Sequence, residues 1–291
     1  MIFAVKPFEI HDGDGIRTTV FFKGCPLRCR WCHNPESFLA KREVLYDSEA
    51  CVHCMKCTTL CDANREEGGR HLFDRSACTS CGACEGICPV NALELVGRDS
   101  TPAELAEEIL RDAMFMKASG GGVTFSGGEP LLQIDYCVEL AKLLKREGIN
   151  LAIDTSAYVS RESLDRIIPY VDTFLFDIKA IDEAVHLRCT GVSNRTILDN
   201  IRYVDSLGVS MEIRYPYVPT YNDGEAIEVA KFVGTLRSAT GLRLLPYHSY
   251  AEHKYKCLDY SYPLSDLPMP KQKELAPLLT QMRTYTKILE D

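Results

Sequence analysis

The 291-residue chain has no apolar run long enough to cross a bilayer as a helix, no basic run and a single tryptophan. The first absence excludes a membrane span. With 33 basic against 41 acidic residues, the net charge is −8, which argues against a partner bound through a phosphate backbone. The opening stretch "MIFAVKPFEIHDGDG" lacks the basic start, long apolar core and small-residue cleavage site of a signal peptide. The expectation is a cytoplasmic protein with no membrane and no nucleic-acid partner. Its length suits one large α/β domain, or one domain carrying a sizeable insert.

Cysteine is the outlier: there are 14, and all but Cys137, Cys189 and Cys257 fall between residues 25 and 88. In a short exported chain this density would read as a disulfide framework, but this chain has neither property, and two-residue gaps suit metal ligation better. The stretch "KGCPLRCRWCHNP" places Cys25, Cys29 and Cys32 in a C-x3-C-x2-C pattern with Trp31 beside the last. Three thiolates are too many for a lone nucleophile and one short of a closed structural site, so they imply a metal centre with an open position. Two further runs, "CVHCMKCTTLC" and "CTSCGACEGICP", are each C-x2-C-x2-C-x3-C. They resemble the bacterial two-cluster ferredoxin run, in which the last cysteine of each run ligates the other cluster. On that pattern Cys51, Cys54, Cys57 and Cys88 hold one [4Fe–4S] cluster, and Cys78, Cys81, Cys84 and Cys61 hold another. A pair of zinc knuckles is the alternative, since zinc also accepts four cysteines. Asp62 stands where ferredoxins have proline, and "DANREEGGRHLFDRSA" makes the link longer than in compact ferredoxins. Cys137, Cys189 and Cys257 are expected as buried small apolar residues.

Outside residues 45–97, short β-type runs alternate with helical patterns. Strands are expected at 17–22, 122–127, 150–155, 173–178, 210–215 and 242–247, with helix-like segments between them. Thr101 followed by Glu104 has the spacing of a capping box. The alternation implies a parallel sheet, doubly wound or curled into a barrel, with a site at the strand C-terminal ends. The three-cysteine loop follows the first strand and "SGGEP" (126–130) the second. Asp154 ends the third, Asp177–Lys179 the fourth and Arg214 the fifth, and His248 follows the sixth. Each alone has an ordinary role as a turn, helix cap, solvated charge or packed histidine. Their shared placement favours a site.

These residues resemble the radical S-adenosylmethionine (SAM) superfamily, and within it the activating enzymes of glycyl radical enzymes. The resemblance rests on the three-cysteine motif with its aromatic, the upstream "DGDGIRTTVFFKGC", and "WCHNPES", "GGEP", "DTSAY", "FDIK" and "LLPYHSYAEHKY" in order. It implies a partial (β/α)6 TIM-type barrel, residues 1–44 and 98–291, interrupted by a bacterial-ferredoxin-like insert at 45–97. It further implies reductive cleavage of SAM at a [4Fe–4S] cluster held by Cys25, Cys29 and Cys32. The 5′-deoxyadenosyl radical so formed takes a Cα hydrogen from a glycine of a partner enzyme. By matching positions, Gly127, Gly128 and Glu129 would receive the SAM ammonium group, and Lys179 and Arg214 its carboxylate. His248 would take a ribose hydroxyl, and Trp31, Cys32 and His33 would line the adenine. Asp154, Asp177 and Ile178 would be further SAM contacts, the two aspartates also candidates for a monovalent cation. Asp12 would grip the glycyl-loop peptide. Implied partners are a glycyl radical enzyme other than pyruvate formate-lyase and a ferredoxin or flavodoxin donor, with the activating enzyme itself a monomer. The alternative is a radical SAM enzyme that modifies another peptide or a small molecule with its auxiliary clusters. Two positions depart from the family pattern: Ala157 stands where glycine is usual, and Asp14 where proline is common.

Overall fold

A computed structural model of the chain describes residues 1–290. In chain order the elements are β1 (Ile2–Glu9), β2 (Arg17–Phe22), β3 (Glu43–Tyr46), β4 (Asn64–Glu67), β5 (Arg70–Phe73) and β6 (Leu93–Val96). There follow α1 (Pro102–Leu110), α2 (Ala113–Ala118), β7 (Gly122–Gly127), α3 (Ile134–Arg146), β8 (Asn150–Thr155), α4 (Arg161–Ile167) and β9 (Thr173–Asp177). The chain continues through α5 (Glu183–Thr190), α6 (Arg195–Ser206), β10 (Met211–Tyr217), α7 (Ala226–Val233), β11 (Ala239–Pro246), α8 (Glu252–Cys257) and α9 (Gln272–Met282).

The main sheet runs β1-β2-β7-β8-β9-β10-β11. The six strands from β2 to β11 are mutually parallel and ordered as in the sequence, as the alternating pattern requires. Their interiors are almost continuously buried, because helices cover one face and packed side chains the other. The helices earn their places by periodicity: α3 buries Cys137, Leu140, Ala141 and Leu144, the i, i+3, i+4, i+7 face that packs on the sheet. At the start of α1, Thr101 and Glu104 form the expected capping box. The segment between Thr101 and β7 is two helices, broken around Arg111 and Asp112.

β1 has no counterpart in the expected set. It pairs antiparallel with β2 at the sheet edge, with irregular register between Lys6 and Glu9. Pro7 and the positive φ of Phe8 (61°) account for the irregularity, and proline is tolerated on an edge. The sheet curves strongly. Arg214 on β10 donates from Nη2 to the carbonyl of His11, in the loop between β1 and β2, at 2.8 Å.

Residues 43–96 leave the main sheet and return to it. β3 and β6 form an antiparallel ribbon, Glu43 opposite Val96 and Tyr46 opposite Leu93. The link between the two cysteine runs is folded rather than loose: β4 and β5 form a hairpin closed by Gly68-Gly69, both at positive φ as a tight hairpin turn demands. Val44, Cys57, Cys84 and Leu93 form a small core of their own there.

Candidate functional site

The loop after β2 carries Cys25, Cys29 and Cys32. It is held in place from the far side of the molecule: the amides of Arg28 and Arg30 donate to the carbonyls of Thr190 and Cys189 at the end of α5, at 2.8 and 3.1 Å. Within the loop the Cys32 amide donates to the Cys29 carbonyl at 3.1 Å, and the Asn34 amide points at Cys32 Sγ at 3.4 Å. The Glu129 amide donates to the Gly24 carbonyl at 2.8 Å, which joins the turn after β7 to the same loop.

The three cysteines line one cavity of about 410 Å³ together with Trp31, His33, Gly127, Gly128, Asp154, Asp177, Lys179, Arg214 and His248. That volume suits a ligand of nucleoside size. Glu129 and Ile178 stand behind the wall. The Glu129 carboxylate is fully buried and accepts from Thr155 Oγ1 at 2.7 Å and from Ser156 N and Oγ at 3.1 and 2.7 Å, stitching the β7 turn to the end of β8. The Ile178 amide donates to the Arg214 carbonyl at 2.9 Å. Asp12 lies below the cavity. It accepts from Thr19 Oγ1 at 2.8 Å, its carbonyl accepts from Thr124 Oγ1 at 2.6 Å, and its Oδ1 is 3.6 Å from Arg214 Nη1. Ala157 takes φ +59°, so the backbone keeps the left-handed turn that glycine usually supplies at this point.

The cavity charges form two interleaved pairs, although the nearest carboxylate to Arg214 is Glu212, outside the cavity, whose Oε1 accepts from its Nε at 3.2 Å. Lys179 Nζ donates to Asp177 Oδ2 at 3.0 Å, and Arg214 Nη1 lies 3.9 Å from Asp154 Oδ2. Arg214 and Asp177 are direct register partners on β10 and β9, which brings the two pairs together. Burial opposes the positive charge of Lys179, yet Asp177 and the Cys29 sulfur outweigh it and hold its pKa above the ordinary lysine value. For Arg214 burial likewise works against the charge, and Asp154, Glu212, Asp177 and Asp12 overcome it. Burial pushes Cys25 up to about 12 and Cys29 up to about 11, and raises Cys32 as well. With their protons on, these thiols are neutral; a soft metal would displace the protons.

His33 and His248 stack with ring centroids 3.9 Å apart and planes 22° from parallel. Burial, helped by the neighbouring ring, lowers His33 to about 4, and burial lowers His248 too, so both rings are neutral. His33 Nε2 and His248 Nδ1 are buried without a hydrogen-bond partner among the described residues. Unpaired buried nitrogens on cavity-lining rings are what a polar ligand would satisfy. The donor set fits an open-site iron–sulfur cluster. Three soft sulfurs come from one loop, and the neighbouring Cys189 is engaged elsewhere, its Sγ pointing at the Tyr221 carbonyl at 3.7 Å.

Asp154 shows how far the cavity bends ordinary chemistry. Burial, reinforced by Asp177 and only partly offset by Arg214, pushes its carboxyl up to about 7, while Ser126 Oγ donates to it at 2.6 Å. An acid raised above the unfolded value of about 3.9 is protonated longer in the folded state. Stability therefore falls as pH rises from about 4 to about 7, then levels. Asp154→Asn should flatten the loss of Tm between pH 5 and pH 7, measured on cluster-loaded protein without SAM. An unchanged difference would remove Asp154 as its source.

The eight cysteines between residues 51 and 88 fall into two groups. Cys51, Cys54, Cys57 and Cys88 line one small cavity with His71. Burial pushes Cys57 up to about 11, with Cys51, Cys54 and Cys88 adding to the rise. Cys84 is raised by burial and then by Cys78, Cys61 and Cys81. Amides already point at the sulfurs: Ser80 N at Cys78 Sγ (3.3 Å), Ala92 N at Cys88 Sγ (3.2 Å) and the Asn64 side chain at Cys61 Sγ (3.3 Å). The two runs also share their unusual backbone. His53 and Met55 have φ of 52° and 59°, and the equivalent Ser80 and Gly82 have 55° and 81°.

Reading the sequence did not find α5, whose carbonyls hold the cysteine loop, nor Tyr247, which lines the cavity and packs with Trp31 and Leu264. α5 carries no clear periodic signal. Tyr247 adjoins His248 at a strand end, which is the signal that could have found it.

Residues 19–233 match the family described as the radical SAM superfamily. The chain is 43% identical to the trans-4-hydroxy-L-proline dehydratase activating enzyme of Clostridioides difficile, over 94% of this chain and 93% of that one. It is 40% identical to the choline trimethylamine-lyase activating enzyme of Oleidesulfovibrio alaskensis, over 98% and 95%. Among solved structures, Streptococcus suis SuiB bound to the precursor peptide SuiA shares the fold, with a TM-score of 0.55 at 16% identity over 93% of this chain and 46% of that one. The chain belongs to the radical SAM superfamily, among the activating enzymes of glycyl radical enzymes.

Proposed function

We propose that residues 1–44 and 98–291 form a partial (β/α)6 barrel that holds SAM and a site-open [4Fe–4S] cluster, that residues 45–97 form a ferredoxin-like insert with two more [4Fe–4S] clusters, and that together they install a radical on a glycine of a partner enzyme. The observation that carries this reading is the cavity where Cys25, Cys29 and Cys32 meet the paired charges from three successive strands. Bound there, the cluster supplies the electron that cleaves SAM to methionine and the 5′-deoxyadenosyl radical, which takes the Cα hydrogen of the partner's glycine.

The chain's own residues bind and orient. Lys179 and Arg214 are the cationic groups for the SAM carboxylate, with Asp177 and Asp154 keeping both charged. Gly127 and Gly128 offer a backbone approach for the ammonium group, and Glu129 locks their turn from behind. Neutral His248 serves a ribose hydroxyl, while Trp31, Cys32 and His33 form the adenine wall. Asp12, anchored to Thr19 beside Arg214, is the residue proposed to grip the glycyl-loop peptide. The pairing of Cys51, Cys54 and Cys57 with Cys88, and of Cys78, Cys81 and Cys84 with Cys61, is supported by their grouping and by the repeated left-handed residues, a strain worth keeping only where amides must turn toward a ligand.

Relatives named for a dehydratase and a carbon–nitrogen lyase favour a partner of that kind over pyruvate formate-lyase. The insert relays electrons from a ferredoxin or flavodoxin, and the protein works as a cytoplasmic monomer. No described helix is long and apolar enough to cross a membrane.

The test is anaerobic reconstitution, iron and sulfide counting, and EPR of the dithionite-reduced protein with and without SAM. About twelve irons per chain and a cubane signal altered by SAM are expected. No SAM-dependent change would sink the reading; about four irons with zinc in the remaining cysteines would remove the relay. In the same assay Cys51→Ser should keep SAM cleavage by a strong chemical reductant and lose at least about tenfold with flavodoxin as donor. Equal loss with both reductants would make the insert clusters folding elements instead.

A further inference from the structure

One cysteine that the proposed chemistry does not use stands in company. Cys257, buried at the end of α8, has its Sγ 3.5 Å from His253 Nε2, one helical turn earlier. The same nitrogen is 3.0 Å from Asp47 Oδ2, just after β3. Asp47 is oriented for this: its Oδ1 accepts from the amides of Glu49 and Ala50, which leaves Oδ2 directed at the histidine.

A Cys–His–Asp nucleophile needs the thiol on one ring nitrogen and the carboxylate on the other. Here both partners converge on Nε2, which in a neutral ring can donate or accept but cannot do both. A cation placed among the three atoms satisfies all of them. The distances agree: zinc bonds of about 2.3 Å to sulfur and about 2.05 Å to nitrogen, at a tetrahedral angle, put S and N about 3.6 Å apart. The nitrogen–oxygen separation needs to open by only a few tenths of an ångström. The three ligand atoms lie within 4.8 Å of one another.

We propose that Asp47, His253 and Cys257 form a binding site for a zinc-class divalent cation, separate from the cluster cysteines. Its role is to pin the cluster-bearing segment to α8, the helix that follows the cavity residue His248. Other contacts cross the same seam: Arg75 donates to the Val44 carbonyl at 2.5 Å and to the Cys257 carbonyl, and pairs with Asp259 at 2.6 Å, while Lys256 Nζ lies 3.6 Å from Glu49. Arg75 therefore fixes the backbone of one ligand in advance. The Asp47 carbonyl accepts from the Cys51 amide at 3.2 Å, so the cation would sit one turn from the first auxiliary cysteine. His253 is half exposed, which leaves the fourth position to water and makes the cation exchangeable.

The experiment equilibrates the cluster-reconstituted enzyme with one equivalent of Zn2+, removes unbound metal, and records zinc content and zinc-edge X-ray absorption, which iron does not obscure. Wild type should retain about one zinc with a single sulfur neighbour at about 2.3 Å and nitrogen or oxygen at about 2.0–2.2 Å. Cys257→Ser should lose the sulfur neighbour, and both it and His253→Ala should lower zinc retention at least about tenfold with iron content unchanged. His253→Ala alters a half-exposed side chain and so keeps the test meaningful if the buried serine impairs folding. Zinc surrounded by four sulfurs, equal retention in His253→Ala, or no retained zinc in wild type would each overturn the proposal. None of these outcomes bears on the SAM-dependent EPR change, so the two readings fail separately.

Discussion

Cys29→Ala is expected to reduce SAM cleavage at least about 10³-fold while the chain stays folded and retains about eight irons. Cys29 is the cysteine most closely tied to the charged end of the cavity: Lys179 and Asp177 are its principal electrostatic neighbours after burial itself. Removing it leaves two sulfurs in the loop, too few to hold a cubane with one iron open. None of the cysteines of 51–88 lines the cavity that holds Cys29, so the clusters proposed there should survive. The measurements are 5′-deoxyadenosine production under dithionite, iron content, and EPR with and without SAM. Cys189→Ala is the control. That sulfur is buried under the same loop but engages Tyr221, so its loss should leave SAM cleavage within about threefold of wild type. Full activity in Cys29→Ala would remove this cysteine from the proposed cluster; loss of all iron would mean that the loop and the insert depend on each other in a way the two separate cavities do not suggest.

How much of this was readable beforehand depends on how local the signal is. The three cysteines lie within eight residues, so one short loop brings them together whatever the fold does. Asp154, the Asp177–Lys179 pair and Arg214 are far apart in sequence, but each stands at or near the end of an expected strand of an alternating pattern, and parallel ladders put such ends on one face. Contacts made by side chains turning back into the protein leave no such trace. The Glu129 carboxylate turns away from the cavity and ties Thr155 and Ser156 to the β7 turn, a contact set by where β8 ends. Asp12 is anchored by Thr19, Thr124 and Arg214 because the sheet curves far enough to bring β10 over the first loop. β1 was hidden by Pro7, and the hairpin of residues 64–73 by its polar composition, although its two glycines mark the turn. Ala157 shows the reverse case: a residue that departs from the family pattern keeps the backbone conformation, since the Asn200 amide group holds the Ala157 carbonyl at 2.9 Å.

Gly128→Ala is expected to destabilise the protein by about 3 kcal/mol and to weaken SAM binding at least about tenfold. The reason is space rather than backbone angle. A Cβ at this position would lie 2.3 Å from the Gly24 carbonyl oxygen and 3.3 Å from Cys25 Cβ, and the nearest of these is main chain that cannot rotate away. The loop after β2 must then move off the turn after β7. That breaks the 2.8 Å bond from the Glu129 amide to the Gly24 carbonyl, and it shifts Cys25 relative to the other two sulfurs. Overpacking of this kind costs about 1–3 kcal/mol, and the lost hydrogen bond about 1 more. In a chain of this size a loss of about 3 kcal/mol should lower Tm by roughly 6 °C. Gly68→Ala separates crowding from strain. Its φ of +57° is left-handed, unlike that of Gly128, and nothing lies within 4 Å of the added carbon, so only about 1 kcal/mol of strain should be lost and SAM binding should be untouched. Thermal melts and EPR titration with SAM on both reconstituted variants decide between the two. If Gly128→Ala binds SAM like wild type, the close approach of the two loops does not set the position of Cys25. If it loses affinity with its melting temperature intact, the glycine serves the ligand directly. Loss of both together is what the 2.3 Å contact predicts, because the same displacement loosens the fold and opens the sulfur triangle.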